Sequence, residues 1–177
     1  PPPATSDKPQ LELFLEVSSA RYSLMGVTIA YALTLHNCGT QPMHDLVVRA
    51  LLANAGERQQ AALRQFFAGE SGMPVHSVVK LAPGESHRLT NELRLATQEI
   101  APVQISGRAL LIPIAAFDAH FRWGEGESLN AGRSGGTFIV GQEQEPPTER
   151  LAPFRLDQGP RQYRRPAARA TGTLAPA

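Results

Sequence analysis

The chain has 177 residues, of which 42% are hydrophobic, and it contains 15 glycines, 15 prolines and one cysteine. This length suits one domain with tails, and the glycine and proline content is more typical of a turn-rich β protein than of a helical bundle. A net charge of +1 gives no global electrostatic case for nucleic-acid binding, the lone Cys38 excludes an intramolecular disulfide, and no apolar run is long enough to span a bilayer.

Residues 1–10 predict a proline-rich linker, because they open with three consecutive prolines and end shortly after a fourth. Such a start is typical of the interior of a longer chain rather than of a natural amino terminus. We therefore expect the sequence to be a fragment, with any membrane tether outside it.

The next segment predicts three strands. Residues 11–17 and 27–35 alternate apolar with polar or small residues, which is the period-2 pattern of a strand with one buried face. Asn37, Cys38 and Gly39 then supply turn residues before residues 46–52 resume an extended apolar run. The pattern from 33 to 48 therefore predicts a strand, a tight turn and a second strand.

Residues 56–67 break this alternation. Ala62, Leu63, Phe66 and Phe67 fall at a spacing that places them on one stripe of a helix, and charged and amide side chains cover the other side. The segment predicts one short amphipathic helix that crosses between sheets.

The second half of the chain predicts further strands separated by turns. Residues 77–81 and 89–95 read as strands on either side of the turn 82–85, and residues 103–116 as a long apolar strand that bends, bulges or lies at an edge near Pro113. Beyond them, residues 119–123 alternate, 124–136 form a glycine-rich loop, and 137–140 form the last strand.

From residue 142 onward, proline, arginine, glutamate and glutamine dominate the sequence. Residues 142–177 therefore predict a mostly disordered or surface-draped tail, part of which four apolar side chains could dock. These are Leu151, Phe154, Leu156 and Tyr163.

Seven or eight short strands, one crossover helix at about 56–67 and no alternation of strands with helices predict an all-β fold. The most economical arrangement is an antiparallel β-sandwich over residues 11–141. The motif Leu-x-Leu-x-Asn-x-Gly at 33–39 and the motif Leu-Ala-Pro-Gly-Glu at 81–85 resemble those of immunoglobulin-like modules of bacterial envelope proteins, including the CARDB-like conserved-repeat group.

This resemblance implies an immunoglobulin-like, non-catalytic module that acts in adhesion, scaffolding or spacing at the cell envelope. It implies membrane association with the periplasmic or cytoplasmic face left open, another protein as the partner, and neither catalytic residues nor a cofactor. Because irregular insertions on a regular frame often carry binding residues, we expect the partner to contact the loop 124–136 and the helix 56–67. The expected contact residues are Trp123, Gly124, Arg133, Phe66 and Phe67.

A first alternative is a mononuclear copper site for electron transfer. His36, Cys38, Met43 and His44 supply the imidazole, thiolate and thioether ligands of such sites, although their order departs from the usual cupredoxin pattern. The competing interpretation is that Cys38 fills a turn and both histidines are ordinary surface residues.

A second alternative is polyanion binding by the arginine-rich tail. Arg161, Arg164 and Arg165 surround a tyrosine in a stretch without acidic residues, and they could contact RNA, anionic lipid or a cell-wall polymer. The competing interpretation is a solvated linker.

Overall fold

The computed structural model describes residues 9–54, 56, 58–127 and 129–171, so most of the expected linker and residues 172–177 lie outside the described residues. In the described part, twelve strands, all antiparallel to their neighbours, accompany one α-helix and one short 3₁₀ helix at Thr97–Glu99. The all-β prediction is therefore confirmed, whereas the expected count of seven or eight strands is too low. The elements are β1 (Leu11–Ser23), β2 (Gly26–Asn37), β3 (Met43–Asn54), α1 (Gln59–Phe67), β4 (Met73–Leu81), β5 (Ser86–Ala96), β6 (Val103–Ile105), β7 (Arg108–Leu111), β8 (Pro113–Trp123), β9 (Asn130–Gln142), β10 (Phe154–Arg155), β11 (Arg161–Gln162) and β12 (Pro166–Thr171).

The strands form three sheets. A four-stranded sheet has the order β11-β1-β2-β5, a five-stranded sheet has the order β12-β9-β8-β3-β4, and β10-β7-β6 form a small third sheet. The two larger sheets share one hydrophobic core, so the described part of the chain is sandwich-like.

The core follows from the alternation within the strands. Ile29 and Leu33 of β2 face Leu46 of β3 and Phe117 of β8, and all four side chains are fully buried. Tyr31 packs edge to face on Phe117 at a ring-centroid distance of 5.3 Å. Each such apolar side chain contributes about 1.5–3 kcal/mol when it is removed from water.

The turn at Asn37–Gly39 connects the two sheets and does not close a hairpin. β2 pairs with β1 and β5, whereas β3 pairs with β4 and β8. The fully buried Asn37 holds this connection, because its Nδ2 donates to the carbonyls of Gln41 (2.9 Å) and Leu81 (3.0 Å) and its Oδ1 accepts the Gly39 N–H (3.0 Å). The expected tight turn is therefore a crossover between layers.

The apolar run 103–116 is divided among three strands. β6 and β7 form a hairpin whose turn residues, Ser106 and Gly107, both have positive φ, as two-residue hairpin turns require. Pro113 opens β8, a position where its missing N–H costs little. This agrees with the expected break near Pro113.

The loop expected at 124–136 is shorter, because β9 begins at Asn130. Three glycines that read as loop residues lie within β9: Gly132, Gly135 and Gly136. Gly132 is needed for close packing, since a Cβ there would lie 2.3 Å from Cε2 of Phe121. Gly132 therefore allows the Phe121 ring to pack closely against an extended strand and does not turn the chain.

Residues 142–171 are part of the fold, which corrects the expected boundary at residue 141. β12 extends the five-stranded sheet by pairing with β9, and β11 pairs with β1. Phe154 and Tyr163 are buried in the main core, with their rings 4.6 Å apart. Leu156 is buried in the same core, so three of the four residues expected to dock the tail do so, within a segment whose overall composition is polar.

α1 confirms the predicted amphipathic helix, but the expected crossover between sheets is wrong, because α1 joins β3 to β4, which are neighbours in the five-stranded sheet. The helix lies on the outward face of that sheet. Leu63 and Phe66 are buried there against Ile114 and Ala116 in a second, small core. None of the described helices is long and apolar enough to cross a membrane.

Candidate functional site

The outward face of the five-stranded sheet carries a set of polar side chains beside α1. Cross-strand pairing places Arg49 of β3 opposite Asp118 of β8, and His120 of β8 opposite Arg133 of β9. Because partners in register share a face, these four side chains point away from the main core.

Asp118 is the centre of this set, and its side chain is 0% exposed. One oxygen, Oδ2, accepts hydrogen bonds from Arg49 Nη2 (2.7 Å) and Arg133 Nη2 (3.0 Å) and lies 3.1 Å from His120 Nε2. The other, Oδ1, accepts from Arg133 Nε at 2.9 Å. Arg133 therefore binds the carboxylate in a bidentate manner through Nε and Nη2, and this geometry gives arginine–carboxylate pairs their specificity.

Burial alone would raise the pKa of Asp118, but the hydrogen bonds from Arg133 and Arg49 and the neighbouring His120 lower it below its usual value. The carboxylate is therefore ionised at neutral pH. Two guanidinium groups share one carboxylate, so the cluster keeps a net positive charge.

The same arginines attach α1 to the sheet. Arg49 donates to the carbonyl of Phe66 at 2.8 Å and to that of Ser71 at 2.6 Å, and its guanidinium lies 4.8 Å from the Phe66 ring centroid. Arg133 donates to the carbonyl of Phe67. Since the last carbonyls of a helix lack intrahelical partners, the arginines satisfy these groups and fix the end of α1.

A second row of basic side chains lies on the same face, beyond the part of the sheet on which α1 packs. His44 of β3 pairs with Lys80 of β4 on one side and with Arg122 of β8 on the other. Lys80 and Arg122 are exposed, and the side chain of His120, two residues before Arg122, is 53% exposed. We call Lys80, His44, Arg122 and His120 the basic face. Its arrangement suits an anionic group or an acidic protein surface.

The residues expected to contact a partner do not form one surface. Phe66 is fully buried beneath α1, and Trp123 packs against the main core on the opposite side of the sheet, with Nε1 donating to the Ala131 carbonyl at 3.3 Å. Gly124 is buried and donates its N–H to the Pro42 carbonyl. The structure brings Arg133 and the half-buried Phe67 together, with the guanidinium 5.9 Å from the ring centroid.

The four potential copper ligands are separated by the crossover between the sheets. His36 bonds Ser86 at 2.6 Å on the four-stranded sheet, Met43 is in the core, and His44 belongs to the basic face. Burial and the neighbouring Glu12 carboxylate raise the pKa of the Cys38 thiol, which disfavours the thiolate. In the described part of the chain, no three His, Cys, Asp or Glu side chains are grouped so that they could hold a metal ion.

The three tail arginines of the polyanion alternative lie on folded chain. Arg161 bonds Gln158 Oε1 at 2.6 Å, and Arg165 pairs with Glu145 at 3.1 Å, while Arg164 is exposed. Glu145 supplies the acidic partner of Arg165, and Glu143 supplies that of Arg169, although the stretch 159–170 itself contains no acidic residue.

An apolar groove of about 610 Å³ lies between the start of α1 and the segment 98–103. Asn54 is one of the residues that line this groove, and its side-chain Oδ1 accepts a hydrogen bond from the Ala101 N–H at 3.0 Å. Its walls are mainly aliphatic and are formed in part by Leu52, Leu95 and Ile100.

No protein-family model, curated protein or solved structure matches the chain. The sequence interpretation overlooked Asp118 and the basic face, although one signal was present: Asp118 is a lone carboxylate in the otherwise apolar first two-thirds of β8, and such a residue needs a buried partner.

Proposed function

We propose that the chain is a non-catalytic interaction or scaffolding module of a membrane-tethered or cell-envelope protein, and that it binds an acidic surface of another protein through the basic face. The observation that carries this proposal is the row Lys80–His44–Arg122, with His120 beside it, on three adjacent strands. The pairing of β4, β3 and β8 fixes the positions of these side chains, so little conformational entropy is lost when a complementary partner binds.

The immunoglobulin-like form of the sandwich belongs to the same proposal. The connectivity β1-β2-β5 in one sheet and β9-β8-β3-β4 in the other supports it, because immunoglobulin folds also place their first, second and fifth strands in one sheet and their third strand in the opposite one. The fourth strand differs, since it pairs here with the third, whereas in constant-type domains it belongs to the sheet of the first. In this interpretation α1, the β6–β7 hairpin and β10–β12 are additions to a common frame. The envelope location is supported by the resemblance of the motifs at 33–39 and 81–85.

Photo-crosslinking in the full-length protein tests the binding face. A photoreactive phenylalanine analogue replaces Val47, which lies opposite His120 and is 41% exposed, and the matched control replaces the exposed Thr90 on the other sheet. We expect a discrete protein adduct from position 47 and none from position 90 when the protein is expressed in its own organism.

Charge-reversal variants then distinguish specific binding through the basic face from nonspecific association. Arg122→Glu should remove most of the adduct, and Arg94→Glu on the four-stranded sheet should leave it unchanged. Equal adducts from positions 47 and 90, or adducts with lipid or nucleic acid alone, would contradict the proposal. Recovery of the full-length protein only in the soluble cytoplasmic fraction would contradict the envelope location.

A further inference from the structure

β4 is the terminal strand of the five-stranded sheet, so its outer side faces no strand among the described residues. The start of this edge is partly occupied, because Pro74 has no N–H and Asn91 Nδ2 donates to the Val75 carbonyl at 3.3 Å. Residues 76–81 form the open part of the edge. No strand among the described residues pairs with the outer side of this part, although the Leu81 carbonyl already accepts a hydrogen bond from Asn37 Nδ2 at 3.0 Å.

The other long edges are protected better. The edge strand β5 carries Arg88, Glu92 and Arg94 on its exposed side, and such charges oppose strand addition. The far edge of the five-stranded sheet, at β12, lies against β1 of the other sheet. β4 carries only Lys80 as a charged residue.

Exposed valines border the open part of β4. Val79 is 83% exposed, and Val47 of the adjacent strand is 41% exposed. Val79 lies on the edge strand itself and Val47 one strand further in, which indicates a partner that brings both backbone hydrogen bonds and apolar side chains.

The neighbouring charges define the remaining chemistry. Lys80 lies in the open part of the edge, with His44 opposite it and Arg122 one strand further on. An added strand with acidic side chains at these positions is attracted, whereas a second copy of this chain would bring a second Lys80 to the same edge.

We propose that residues 76–81 of β4 accept an extended segment of the partner protein as an additional strand, in which acidic side chains alternate with apolar ones. This inference rests on the proposed function and specifies how the partner binds. The acidic residues meet Lys80 and His44, and the apolar ones cover Val79.

The test uses short synthetic peptides and the isotope-labelled full chain, observed by two-dimensional NMR. The probe alternates valine with glutamate. One control peptide alternates valine with lysine, and another is the probe with N-methyl groups on alternate residues, which removes its backbone donors on one side. We expect saturable binding of the probe, with shift changes concentrated at residues 76–81, and at least about tenfold weaker binding of both control peptides, since several hydrogen bonds or attractive charges are lost.

Variants of the protein locate the site. Val79→Lys and Lys80→Glu should each weaken binding of the probe, and Lys80→Glu should improve binding of the valine–lysine peptide. Thr90→Lys, the matched change on β5, should have no effect. If Val79→Lys does not fold, the N-methylated peptide still tests the backbone contribution on the unaltered protein.

Several results would overturn strand addition. They are equal affinity for the N-methylated peptide, shift changes away from β4, a failure of the probe to bind, and self-association through β4 that excludes the probe. The crosslink from position 47 and its loss in Arg122→Glu would survive such a result, so strand addition and the proposed function can fail separately.

Discussion

Among single residues, the buried carboxylate of Asp118 is the one that joins three strands and α1. Asp118→Asn keeps the shape of the side chain but leaves Arg49 and Arg133 without their anion. We expect the free energy of unfolding to fall by about 3 kcal/mol, at the low end for a broken buried ion pair because Arg133 remains partly in water. Urea unfolding followed by circular dichroism measures this loss.

His120→Gln is the matched control in the same cluster. The His120 side chain is half exposed, so its bond to Asp118 competes with water, and we expect a change below about 0.5 kcal/mol. If Asp118→Asn and His120→Gln lowered the free energy of unfolding by similar amounts, the ion pairs of Asp118 with Arg49 and Arg133 would not be the source of the stabilisation.

His76 gives stability a pH dependence near neutrality. Its Nε2 lies 3.1 Å from the Tyr31 hydroxyl, and burial lowers the pKa of His76. The unfolded chain therefore binds a proton more readily than the folded chain, so stability is lost as pH falls through the unfolded pKa of about 6.5 toward the lower folded value.

His76→Gln should remove this slope. Unfolding free energies at a series of pH values between 7 and 5 should fall for the unaltered protein and remain flatter for His76→Gln. The contribution of Asp118 is separate, because its lowered pKa places that loss in the acid range, below the usual pKa of an aspartate. Parallel curves for the two proteins would refute the assignment to His76.

Among the elements, β9 depends on close contact between a glycine and an aromatic ring. A Cβ at Gly132 would meet the buried Phe121 ring at 2.3 Å, so the ring or the strand must move. We expect Gly132→Ala to reduce stability by about 1–3 kcal/mol, the usual cost of overpacking. Thermal and urea unfolding both measure it.

Gly136→Ala in the same strand is the control. A Cβ there meets Phe138 at 3.4 Å, close to ordinary contact, and alanine also restricts the unfolded chain. We expect no loss of stability. A loss as large as that of Gly132→Ala would mean that glycine is needed throughout β9 for another reason.

Alternation and helical spacing were enough to predict β1, β2, β5 and α1, because β1, β5 and α1 each bury one regular face and β2 alternates large apolar side chains with small ones although both of its faces are largely buried. They failed where a residue type has two physical uses. Gly132 reads as a loop residue but serves close packing, and residues 37–39 read as a tight turn between two strands although they connect two layers. The local sequence of a strand does not determine which other strands pair with it or which sheet it joins.

At the scale of the whole molecule, the segment after β9 completes the main core. Phe154 is fully buried and stacks against Tyr163, whose hydroxyl donates to the Arg155 carbonyl at 2.7 Å. We expect Phe154→Ala to cost about 3–5 kcal/mol, as for other buried phenylalanines.

Phe14→Ala makes the same chemical change at a side chain that is 52% exposed. It should lower the free energy of unfolding by well under half as much as Phe154→Ala does. Both variants are compared by urea unfolding. A small effect of Phe154→Ala would mean that the segment 142–171 rests on a core that is already complete.

The candidate site could not be predicted from the sequence, because its residues come together only through long-range strand pairing. Arg49 and Asp118 are 69 residues apart in the chain, and Lys80, His44 and Arg122 come together only through the pairing of three strands. A lone carboxylate in an apolar strand indicated that Asp118 needs a partner, but the sequence does not say which arginine supplies it.

The pairing of β1 with β11 has a consequence for synthesis on the ribosome. Arg21 and Tyr22 are among the first described residues to be made, and their partners Gln162 and Arg161 are among the last. A nascent chain that stops before residue 154 lacks the rings of Phe154 and Tyr163 and leaves the β9 edge open. The complete core can therefore form only after the segment that carries Phe154 and Tyr163 has been made, and its closure joins residues that are far apart in the chain.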